Sequence, residues 1–371
     1  MDKSLKIAML GHKHMLGREG GIEIVVHELA TRMVALGHSV TCYDRDTRYV
    51  SGETIDRATE YEGVIIKPVW TIEKKGLAAT TSSFSASWKA AWGNYDIVHI
   101  HAEGPAAMSC LPKMRGKKVI VTIHGLDWAR AKWGGFASRY IKWGEKQAVR
   151  FADEIIVLSR GVQDYFEKTY GRKTVFIPNG VTRPTLVPVD EIEKQWGIKK
   201  DSYVLFLGRI VPEKGLRYLI EAWKEIQTDK KLVIAGGSSD TDAFLNELKN
   251  MAGSNIIFTG FQQGRILEEL YSNAYLYVLP SDLEGMPLSL LEAMSYGNCC
   301  LVSDIPECSE VVEDKALTFK RGNINDLQNK LQALLNNEAM VVKYKEAASD
   351  YICQKYNWDD VVTKTLDLYK G

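Results

Sequence analysis

Two carboxylates spaced for ligand binding, Glu284 and Glu292, lie within PSDLEGMPLSLLEAM at residues 280–294. The segment follows a short apolar run, and LSLLEAM has helical spacing, so Glu284 is predicted in a loop and Glu292 about one turn inside a helix. A loop carboxylate there can bind sugar hydroxyls, and one in the first turn can bind the two hydroxyls of a ribose, with phosphate over the helix start. Two plainer interpretations stay open: Glu284 as a turn residue, and Glu292 as a surface residue favoured by the helix dipole.

A second candidate is GRIVPEKG at residues 208–215, directly after the apolar run YVLFL. Arg209 and Lys214 would lie at the carboxyl end of a parallel strand, where open α/β sheets bind ligands. Arg binds phosphate oxygens bidentately and Lys binds them as a point charge, which suits a diphosphate. The alternative is a solvated loop with a surface Glu213–Lys214 pair.

A third candidate is GGIE, where Gly20 and Gly21 precede apolar residues at helical spacing. Glycines at a helix N-terminus let a phosphate approach free amides and the positive end of the helix dipole. The spacing from Gly11 differs from a dinucleotide-binding fingerprint, and a flexible glycine-capped loop is the alternative.

The histidines favour a role for His124, which closes the run KVIVTI and precedes a glycine. Asp127 is either near an acceptor or an ordinary helix cap. The pairs His12/His14 and His99/His101 lack clustered carboxylates, so packed or solvated side chains are favoured over metal ligands.

Short apolar runs alternate with helical stretches along the whole chain. This pattern predicts parallel sheets covered by helices on both faces, in two doubly wound domains joined near residues 178–188. A terminal helix is predicted over residues 358–369. The predicted strands are 6–11, 39–43, 64–69, 96–101, 118–123, 154–158 and 174–177 in the first half, and 203–207, 231–235, 255–258, 274–279, 299–302 and 316–319 in the second.

Charge separates the two halves, although the 371 residues hold 47 Lys and Arg against 47 Asp and Glu. Residues 1–183 have 27 basic and 19 acidic residues, a net charge of +8, and residues 184–371 have 20 and 28, a net charge of −8. The balanced total gives no sign of nucleic-acid binding, and the composition is that of a folded globular protein. The six cysteines form no CxxC pair, which indicates reduced thiols and a cytoplasmic protein. No run approaches the ~20 apolar residues of a membrane span.

Six motifs of the chain resemble, in their order and spacing, those of family 4 retaining glycosyltransferases. They are GGIE, IHG at 123–125, PNGV at 178–181, GRIVPEKG, TGF at 259–261 and the pair Glu284–Glu292. The resemblance implies the GT-B fold, an α/β architecture with two Rossmann-like domains facing a central cleft. It implies an N-terminal acceptor domain at 1–183, on which a C-terminal helix at 355–371 packs, and a C-terminal donor domain at 184–354.

The resemblance also implies roles at matching positions. The diphosphate of a nucleotide-sugar donor would be held by Arg209 and Lys214 with the amides of Gly20 and Gly21, and the ribose by Glu292. The base would pack beside Gly260, Phe261 and Gln262. The donor sugar would be held by Glu284 and the backbone of Gly285, Met286, Pro287 and Leu288, with His124 near the anomeric centre and Asp127 and Trp128 toward the acceptor.

One departure concerns Met286-Pro287, where many relatives have Phe-Gly. Because proline has no N–H, one potential backbone donor to the sugar is absent, and the donor's identity cannot be carried over. No protein nucleophile, metal or cofactor is implied: the leaving phosphate takes the acceptor proton, and UDP is favoured over GDP as the nucleotide.

A basic and aromatic segment at residues 128–151 suits an anionic membrane surface. It holds Arg130, Lys132, Arg139, Lys142, Lys146 and Arg150 among Trp128, Trp133, Phe136, Tyr140 and Trp143. Inward packing of its aromatic residues is the alternative. If the membrane interpretation holds, the enzyme is peripheral at the inner face of the membrane. Its acceptor is then a lipid-linked saccharide, such as a polyprenyl-diphosphate-linked one, in exopolysaccharide or capsule synthesis.

Two other functions remain open on this fold. One is a nucleotide-sugar 2-epimerase or hydrolase, which is disfavoured because such enzymes lack the ordered GGIE and Glu284–Glu292 motifs. The other is a non-catalytic nucleotide-sugar-binding protein, which the intact charged residues disfavour.

Overall fold

The chain divides into two compact units, Met1–Asn179 with Trp358–Gly371 (unit 1) and Gly180–Asn357 (unit 2). A computed structural model describes residues 4–17, 20–47, 58–74, 77–129, 135–237 and 242–371. The boundaries differ by a few residues from 183/184 and 354/355. The amide of Val181 donates to the Tyr356 carbonyl (2.7 Å), and Val181 also bridges to Asn357, so both segments belong to unit 2.

Unit 1 contains an eight-stranded sheet in the order β3-β4-β2-β1-β5-β6-β7-β8. The strands are β1 (Lys6–Leu10), β2 (Ser39–Arg45), β3 (Glu60–Tyr61), β4 (Val64–Val69), β5 (Ile97–His101), β6 (Lys118–Ile123), β7 (Glu154–Val157) and β8 (Val175–Phe176). All seven strands predicted in this half are confirmed and pair in parallel. The strand that was not predicted is β3, which is exposed, contains no apolar run and pairs antiparallel with β4. The turn between them consists of Glu62 and Gly63, both with positive φ.

Helices cover both faces of this sheet. They are α1 (Gly21–Ala35), α2 (Ala78–Trp92), α3 (Glu103–Ala106), α4 (Cys110–Met114), α5 (Gly135–Phe151) and α6 (Arg160–Tyr170), with a 3-10 helix at Asp127–Ala129. Ala90 of α2, Ala106 of α3 and Ala148 of α5 share one core cluster with Val98 and Val119 of the strands. Thus α2, α3 and α5 cover the same sheet face.

Unit 2 contains a six-stranded parallel sheet in the order β11-β10-β9-β12-β13-β14. Its strands are β9 (Tyr203–Leu207), β10 (Lys231–Ala235), β11 (Ile256–Gly260), β12 (Leu276–Leu279), β13 (Cys300–Ser303) and β14 (Leu317–Phe319), as predicted to within two residues. Its helices are α7 (Glu191–Trp196), α8 (Leu216–Lys224), α9 (Ala243–Met251), α10 (Gly264–Ser272), α11 (Leu288–Ser295), α12 (Pro306–Val312), α13 (Ile324–Leu335) and α14 (Glu338–Lys355), with a 3-10 helix at Pro212–Lys214.

The strand order of unit 2 reverses between β9 and β12. From β9 the chain adds β10 and β11 on one side, then crosses to place β12 on the other side. The loops after β9 and β12 therefore diverge at the carboxyl edge of the sheet, which is where open α/β sheets form their ligand crevice.

The terminal helix, α15 (Trp358–Lys370), belongs to unit 1 and packs against α1. Its helical spacing was predicted correctly, and Trp358, Val361, Leu366 and Tyr369 are buried. It begins at residue 358 rather than 355, because residues up to Lys355 complete α14.

The six cysteines are free thiols, four of them buried. Within the described ranges, no helix is long and apolar enough to span a bilayer. The same residues contain no group of three or more His, Cys, Asp or Glu arranged to hold a metal ion.

Candidate active site

An ion pair between Lys214 and Glu284 joins the loops that follow β9 and β12. Lys214 Nζ lies 2.5 Å from Glu284 Oε1, and both side chains are mostly buried. The pair therefore lies at the switch point of the sheet, where a ligand is expected. The alternative of a solvated Glu213–Lys214 pair is wrong: Glu213 is buried, and its carboxylate has no hydrogen-bond partner among the described residues.

Backbone contacts fix these two loops against each other. Lys214 ends the 3-10 helix, and Gly215 follows with a φ of +68°. A Cβ atom at residue 215 would lie 1.9 Å from the Pro280 carbonyl oxygen, so only glycine permits the approach. The amide of Asp282 also donates to the Glu213 carbonyl (2.8 Å). Contacts between the two loops therefore fix the backbone of Lys214, from which its side chain extends.

A serine orients the Glu284 carboxylate as well. Ser281 Oγ donates to Glu284 Oε1 at 2.6 Å, so this oxygen accepts from both Ser281 and Lys214. Ser281 is fully buried, and its carbonyl accepts from Ser303 Oγ at the end of β13 (2.6 Å). The carboxylate is therefore tied to the neighbouring strand, which sequence reasoning did not anticipate.

Residues 285–288 lead from Glu284 into α11. Pro287 is the N-cap residue, with φ −75° and ψ 102°, and Leu288 is the first helical residue. The side chains of Met286 and Leu288 are buried, so these residues can offer a ligand only their backbone groups. Because Pro287 has no N–H, the amides at this helix start come from Leu288 onward.

Glu292 lies on α11 and is held by a buried tyrosine. Tyr271 of α10 donates its hydroxyl to Glu292 Oε2 at 3.0 Å, and its ring stacks on Tyr296 with centroids 5.2 Å apart. Burial, together with the Glu292 charge, raises the pKa of Tyr271 well above its usual value, so its phenol stays a donor. The carboxylate is therefore a positioned group and not a free surface residue.

The other donor residues predicted in unit 2 lie at the same sheet edge. Arg209 is half-buried beyond β9, where the next amide, Ile210, donates to Gly237 (3.0 Å) beyond β10. Gly260 ends β11 with φ +73°, and the aromatic ring of Phe261 after it is partly exposed. Gln262 donates from its side chain to the Thr259 carbonyl (2.7 Å).

In unit 1, Gly20 and Gly21 lie at the N-terminus of α1, as their spacing predicted. The Glu23 carboxylate, one turn later, accepts from the Lys13 amide at 3.0 Å and so holds the β1–α1 loop back onto the helix. Gly11 begins this loop with φ +106°, and a Cβ there would lie 2.2 Å from the His101 carbonyl oxygen.

Three histidines are in contact along β5 and at the end of β6: the His99 and His101 rings stack at 4.2 Å, and the His124 ring lies tilted 5.3 Å from His101. His99 is fully buried between the Tyr369 hydroxyl (2.6 Å) and Thr122 Oγ1 (2.7 Å), and burial lowers its pKa to about 3. His101 is also buried, and its Nδ1 lies 3.1 Å from His124 Nε2. His99 and His101 are thus packed side chains, as favoured, and they support the partly exposed His124.

A buried pair of carboxyls holds the predicted acceptor residues Asp127 and Trp128. Glu103 Oε2 accepts from the Asp127 amide (2.9 Å), and Glu145 Oε2 accepts from the Trp128 indole N–H (3.1 Å). Burial, reinforced by the neighbouring carboxyls, raises the pKa of Glu103 to about 10. Glu145 also accepts from the hydroxyls of Tyr165 and Tyr170.

This network turns part of the segment 128–151 inward. The Lys142 ammonium lies 3.3 Å from Glu145 and 3.9 Å from the centre of the Trp128 ring, with 32% of the Lys142 side chain exposed. Trp128 and Lys142 therefore follow the inward-packing alternative. Among the described side chains of α5, Arg139, Trp143, Lys146 and Arg150 are exposed on one helix face, whereas Arg130, Lys132, Trp133 and the Phe136 side chain lie outside the described part of the chain.

Two family profiles match the chain one after the other. Glycosyltransferase Family 4 matches residues 19–183, and Glycosyl transferases group 1 matches residues 188–351. The chain is a family 4 glycosyltransferase. The resemblance in the sequence motifs is thereby confirmed over both units.

Relatives of this glycosyltransferase align along most of its length. An uncharacterised glycosyltransferase of Methanocaldococcus jannaschii is 24% identical over 359 residues, which are 95% of this chain and 94% of the relative. The UDP-Gal:α-D-GlcNAc-diphosphoundecaprenol α-1,3-galactosyltransferase of Escherichia coli is 28% identical over 294 residues, 74% and 75% of the two chains.

Solved structures share the fold of this glycosyltransferase. Sucrose-phosphate synthase of Thermosynechococcus elongatus has a TM-score of 0.84 at 20% identity, with 99% of this chain and 98% of that chain covered. Anabaena HepE in complex with UDP-glucose has a TM-score of 0.82 at 16% identity, with 99% of each chain covered. The fold is GT-B, as the resemblance implied.

Several residues that shape the sites of this glycosyltransferase escaped sequence reasoning. Tyr271, Glu103 and Glu145 are each buried and at least 17 positions from the group that they hold, and Ser281 is a buried residue within the loop of Glu284. Glu145 could have been singled out from the sequence, since it is the single carboxylate among the six Lys and Arg of residues 128–151. The others look like ordinary helix or loop residues.

Proposed function

We propose that the enzyme transfers a sugar, with retention of anomeric configuration, from a nucleoside-diphosphate sugar to a saccharide acceptor. The Lys214–Glu284 pair at the β9/β12 switch point carries this proposal. It provides a cation for a diphosphate beside a carboxylate for sugar hydroxyls. UDP is the proposed nucleotide, which fits the E. coli relative, named for a UDP-Gal donor, and Anabaena HepE, solved with UDP-glucose.

In this proposal unit 2 binds the donor. Lys214 and Arg209 hold the diphosphate, Glu292 holds the ribose hydroxyls, and Glu284 holds the sugar with the backbone of residues 285–288. The base packs beside residues 260–262. Tyr271 keeps Glu292 in position, and Ser281 does the same for Glu284.

The proposed chemistry is mainly electrostatic. The bond between the anomeric carbon and the β-phosphate oxygen breaks while the acceptor hydroxyl bonds to that carbon from the same face, and the leaving phosphate takes the acceptor proton. Negative charge develops on the departing phosphate, so Lys214 and Arg209 stabilise the transition state more than the ground state. No protein nucleophile, metal or cofactor enters this scheme, and full activity in excess chelator is the expected result.

Unit 1 is proposed to serve the acceptor. His124, supported by His101, and the Asp127–Trp128 turn, held by Glu103 and Glu145, are the groups proposed to contact it. The proposed acceptor is a lipid-linked saccharide in exopolysaccharide or capsule synthesis. Support comes from the E. coli relative, whose name specifies a diphosphoundecaprenol-linked acceptor.

Donor binding is tested by thermal denaturation with UDP-, GDP-, ADP- and dTDP-sugars, because a ligand that binds only the folded state raises Tm with concentration. The largest shift is expected with a UDP-sugar, and Lys214→Ala and Glu292→Ala should each reduce it. Lys224→Ala is the matched control, since Lys224 is exposed and pairs with Glu221 on α8. Undiminished shifts in both site variants would mean that the donor site is misplaced.

The reaction itself is tested by NMR of the products. Retention predicts that the transferred sugar keeps the anomeric configuration of the donor. A free or epimerised sugar formed equally fast without acceptor would instead establish a hydrolase or epimerase.

A further inference from the structure

Helix α2 in unit 1 exposes its large side chains and buries its small ones. Its buried residues are Ser82, Ser83, Ala86, Ser87, Ala90 and Ala91. The exposed residues include Phe84, Trp88 and Trp92, with 45%, 48% and 53% of their surface accessible. A surface helix normally packs its large apolar residues against the core, so this arrangement is reversed.

The three aromatic residues form one continuous ladder. Their spacing of four residues places them on one face of the helix. The Phe84 and Trp88 ring centroids are 6.1 Å apart, and the Trp88 and Trp92 rings stack at 4.0 Å with an interplanar angle of 21°. Contiguous exposed apolar surface of this kind marks an interaction site more often than scattered single residues do.

Cations border the ladder. The Arg115 guanidinium lies 5.2 Å from the centre of the Trp92 ring, next to Met114, which is 78% exposed. Lys89 is exposed on α2 itself, and with Lys67 and Trp92 it lines a shallow groove at the end of the helix. Residues 77–95 and 104–118 contain five Lys and Arg and no Asp or Glu. Of these five, Lys113 pairs with Asp153, and the cations beside the aromatic ladder are Lys89 and Arg115.

We propose that the surface formed by Phe84, Trp88, Trp92, Lys89 and Arg115, here called the α2 surface, docks on a lipid bilayer with anionic head groups. Indole rings favour the interfacial zone of a bilayer, and a helix with one apolar face lies in that plane. Lys and Arg beside it attract anionic head groups.

Charge distinguishes this occupant from a second copy of the chain. A symmetric contact would bring the cations of one α2 surface against those of the other, with no carboxylate in these segments to pair with them. An anionic bilayer complements the same charges and accepts the indole rings.

In the segment 128–151, part of the basic and aromatic set packs inward. Trp128 and Lys142 contact Glu145 and each other, whereas all three aromatic residues of α2 are exposed. Docking does not require the donor chemistry, so this inference goes beyond the proposed function and can fail separately from it.

The test is sedimentation of the purified enzyme with phosphatidylcholine vesicles, with and without phosphatidylglycerol. Wild-type enzyme is expected to bind the anionic vesicles, and less so at high salt because screening weakens exposed charges. The double variant Trp88→Ser/Trp92→Ser and the single variant Arg115→Glu should each reduce partitioning by about tenfold or more, since each removes apolar area or reverses a charge at the surface.

Matched control variants distinguish docking through the α2 surface from non-specific adsorption to vesicles and from misfolding. Leu36→Ser removes an exposed apolar side chain after α1, and Lys200→Glu reverses an exposed charge in unit 2. Both should bind vesicles like wild type, and all variants should keep the thermal shift with nucleotide-sugar. Undiminished vesicle binding by the Trp88/Trp92 variant and by Arg115→Glu would overturn the proposal. So would a wild-type dimer that becomes monomeric in the Trp88/Trp92 variant while no form binds vesicles.

Discussion

Lys214 donates to Glu284 at 2.5 Å, so the cation proposed for the diphosphate is already paired with the carboxylate proposed for the sugar. A donor molecule must therefore share or replace this contact when its phosphates approach Lys214. The two residues consequently have opposite effects on an anionic ligand, although both belong to one site.

Replacing each partner should separate nucleotide binding from sugar transfer. Lys214→Ala is expected to weaken binding of UDP alone by about 1.5–3 kcal/mol, the usual value of a hydrogen bond to a charged group. Glu284→Gln removes the competing negative charge, so UDP should bind as tightly as to wild type or more tightly, while transfer from UDP-sugar falls. Calorimetric titration with UDP and rate assays measure the two effects.

The conservative control for this pair is Glu221→Gln, which breaks an exposed pair with Lys224 elsewhere in unit 2. It should change neither quantity. Equal losses of UDP binding and of transfer in Glu284→Gln would show that Glu284 only supports the fold.

Tyr271 is expected to act on the nucleotide through Glu292. Tyr271→Phe removes the hydroxyl that donates to Glu292 Oε2. Nucleotide affinity should fall by about 1 kcal/mol, or roughly fivefold, which is typical of one hydrogen bond. KM for the donor should rise more than kcat falls, because the lost contact serves binding.

Tyr203→Phe is the matched control, since Tyr203 is also buried in unit 2 but donates to the Leu270 carbonyl. It should lower stability without changing donor KM. If both variants raise KM equally, the effect of Tyr271 is structural and its positioning role is wrong.

The sequence predicted all strands except β3 because buried parallel strands are continuous apolar runs, and these runs are visible without tertiary information. A different pattern, apolar residues repeated at helical spacing, predicted α15. Strand β3 consists of the exposed pair Glu60–Tyr61, which leaves no apolar signal, and its pairing depends on the turn at Glu62 and Gly63.

The candidate site was predictable where it follows strands directly. Arg209, Lys214 and Glu284 could be placed at one sheet edge, because the carboxyl ends of parallel strands meet there. The contact between Tyr271 and Glu292 could not be predicted, since the two residues come from different helices, α10 and α11, that only the packed sheet brings together. The contact of Lys142 with Glu145 could not be predicted for the same reason, because it depends on the burial of Glu145 beside tyrosine side chains.

Gly215 is expected to be essential for the geometry of Lys214. Gly215→Ala combines a positive φ with a Cβ placed 1.9 Å from the Pro280 carbonyl oxygen. The positive φ alone costs about 1 kcal/mol, and displacing the backbone should add about 1–3 kcal/mol. Urea denaturation should show the combined loss, and the donor-induced thermal shift should shrink because Lys214 moves.

Gly264→Ala isolates the backbone contribution. Gly264 has a φ of +57°, and a Cβ there would meet nothing within 4 Å. It should therefore show only the smaller loss of stability and a normal donor response. Equal losses in the two variants would contradict the proposed clash with Pro280.

Glu103 should make the stability of unit 1 depend on pH in the alkaline direction. Its pKa is raised from 4.5 to about 10 by burial and neighbouring carboxyls, so the folded state holds a proton that the unfolded state releases. The stability due to this proton is fully present below pH 4.5 and is lost as pH rises toward 10, by up to about 1.4 kcal/mol per pH unit. Glu103→Gln keeps a neutral side chain at every pH.

The free energy of unfolding of Glu103→Gln should therefore rise relative to that of wild type as pH rises from 5 to 9. Urea denaturation across that range measures this difference. Glu154→Gln, at the start of β7, provides a control because the carboxyl is half-buried and is not part of this network. A constant difference between Glu103→Gln and wild type would show that Glu103 is ionised in the folded protein. The acceptor of the Asp127 N–H would then be a charged Glu103 carboxylate.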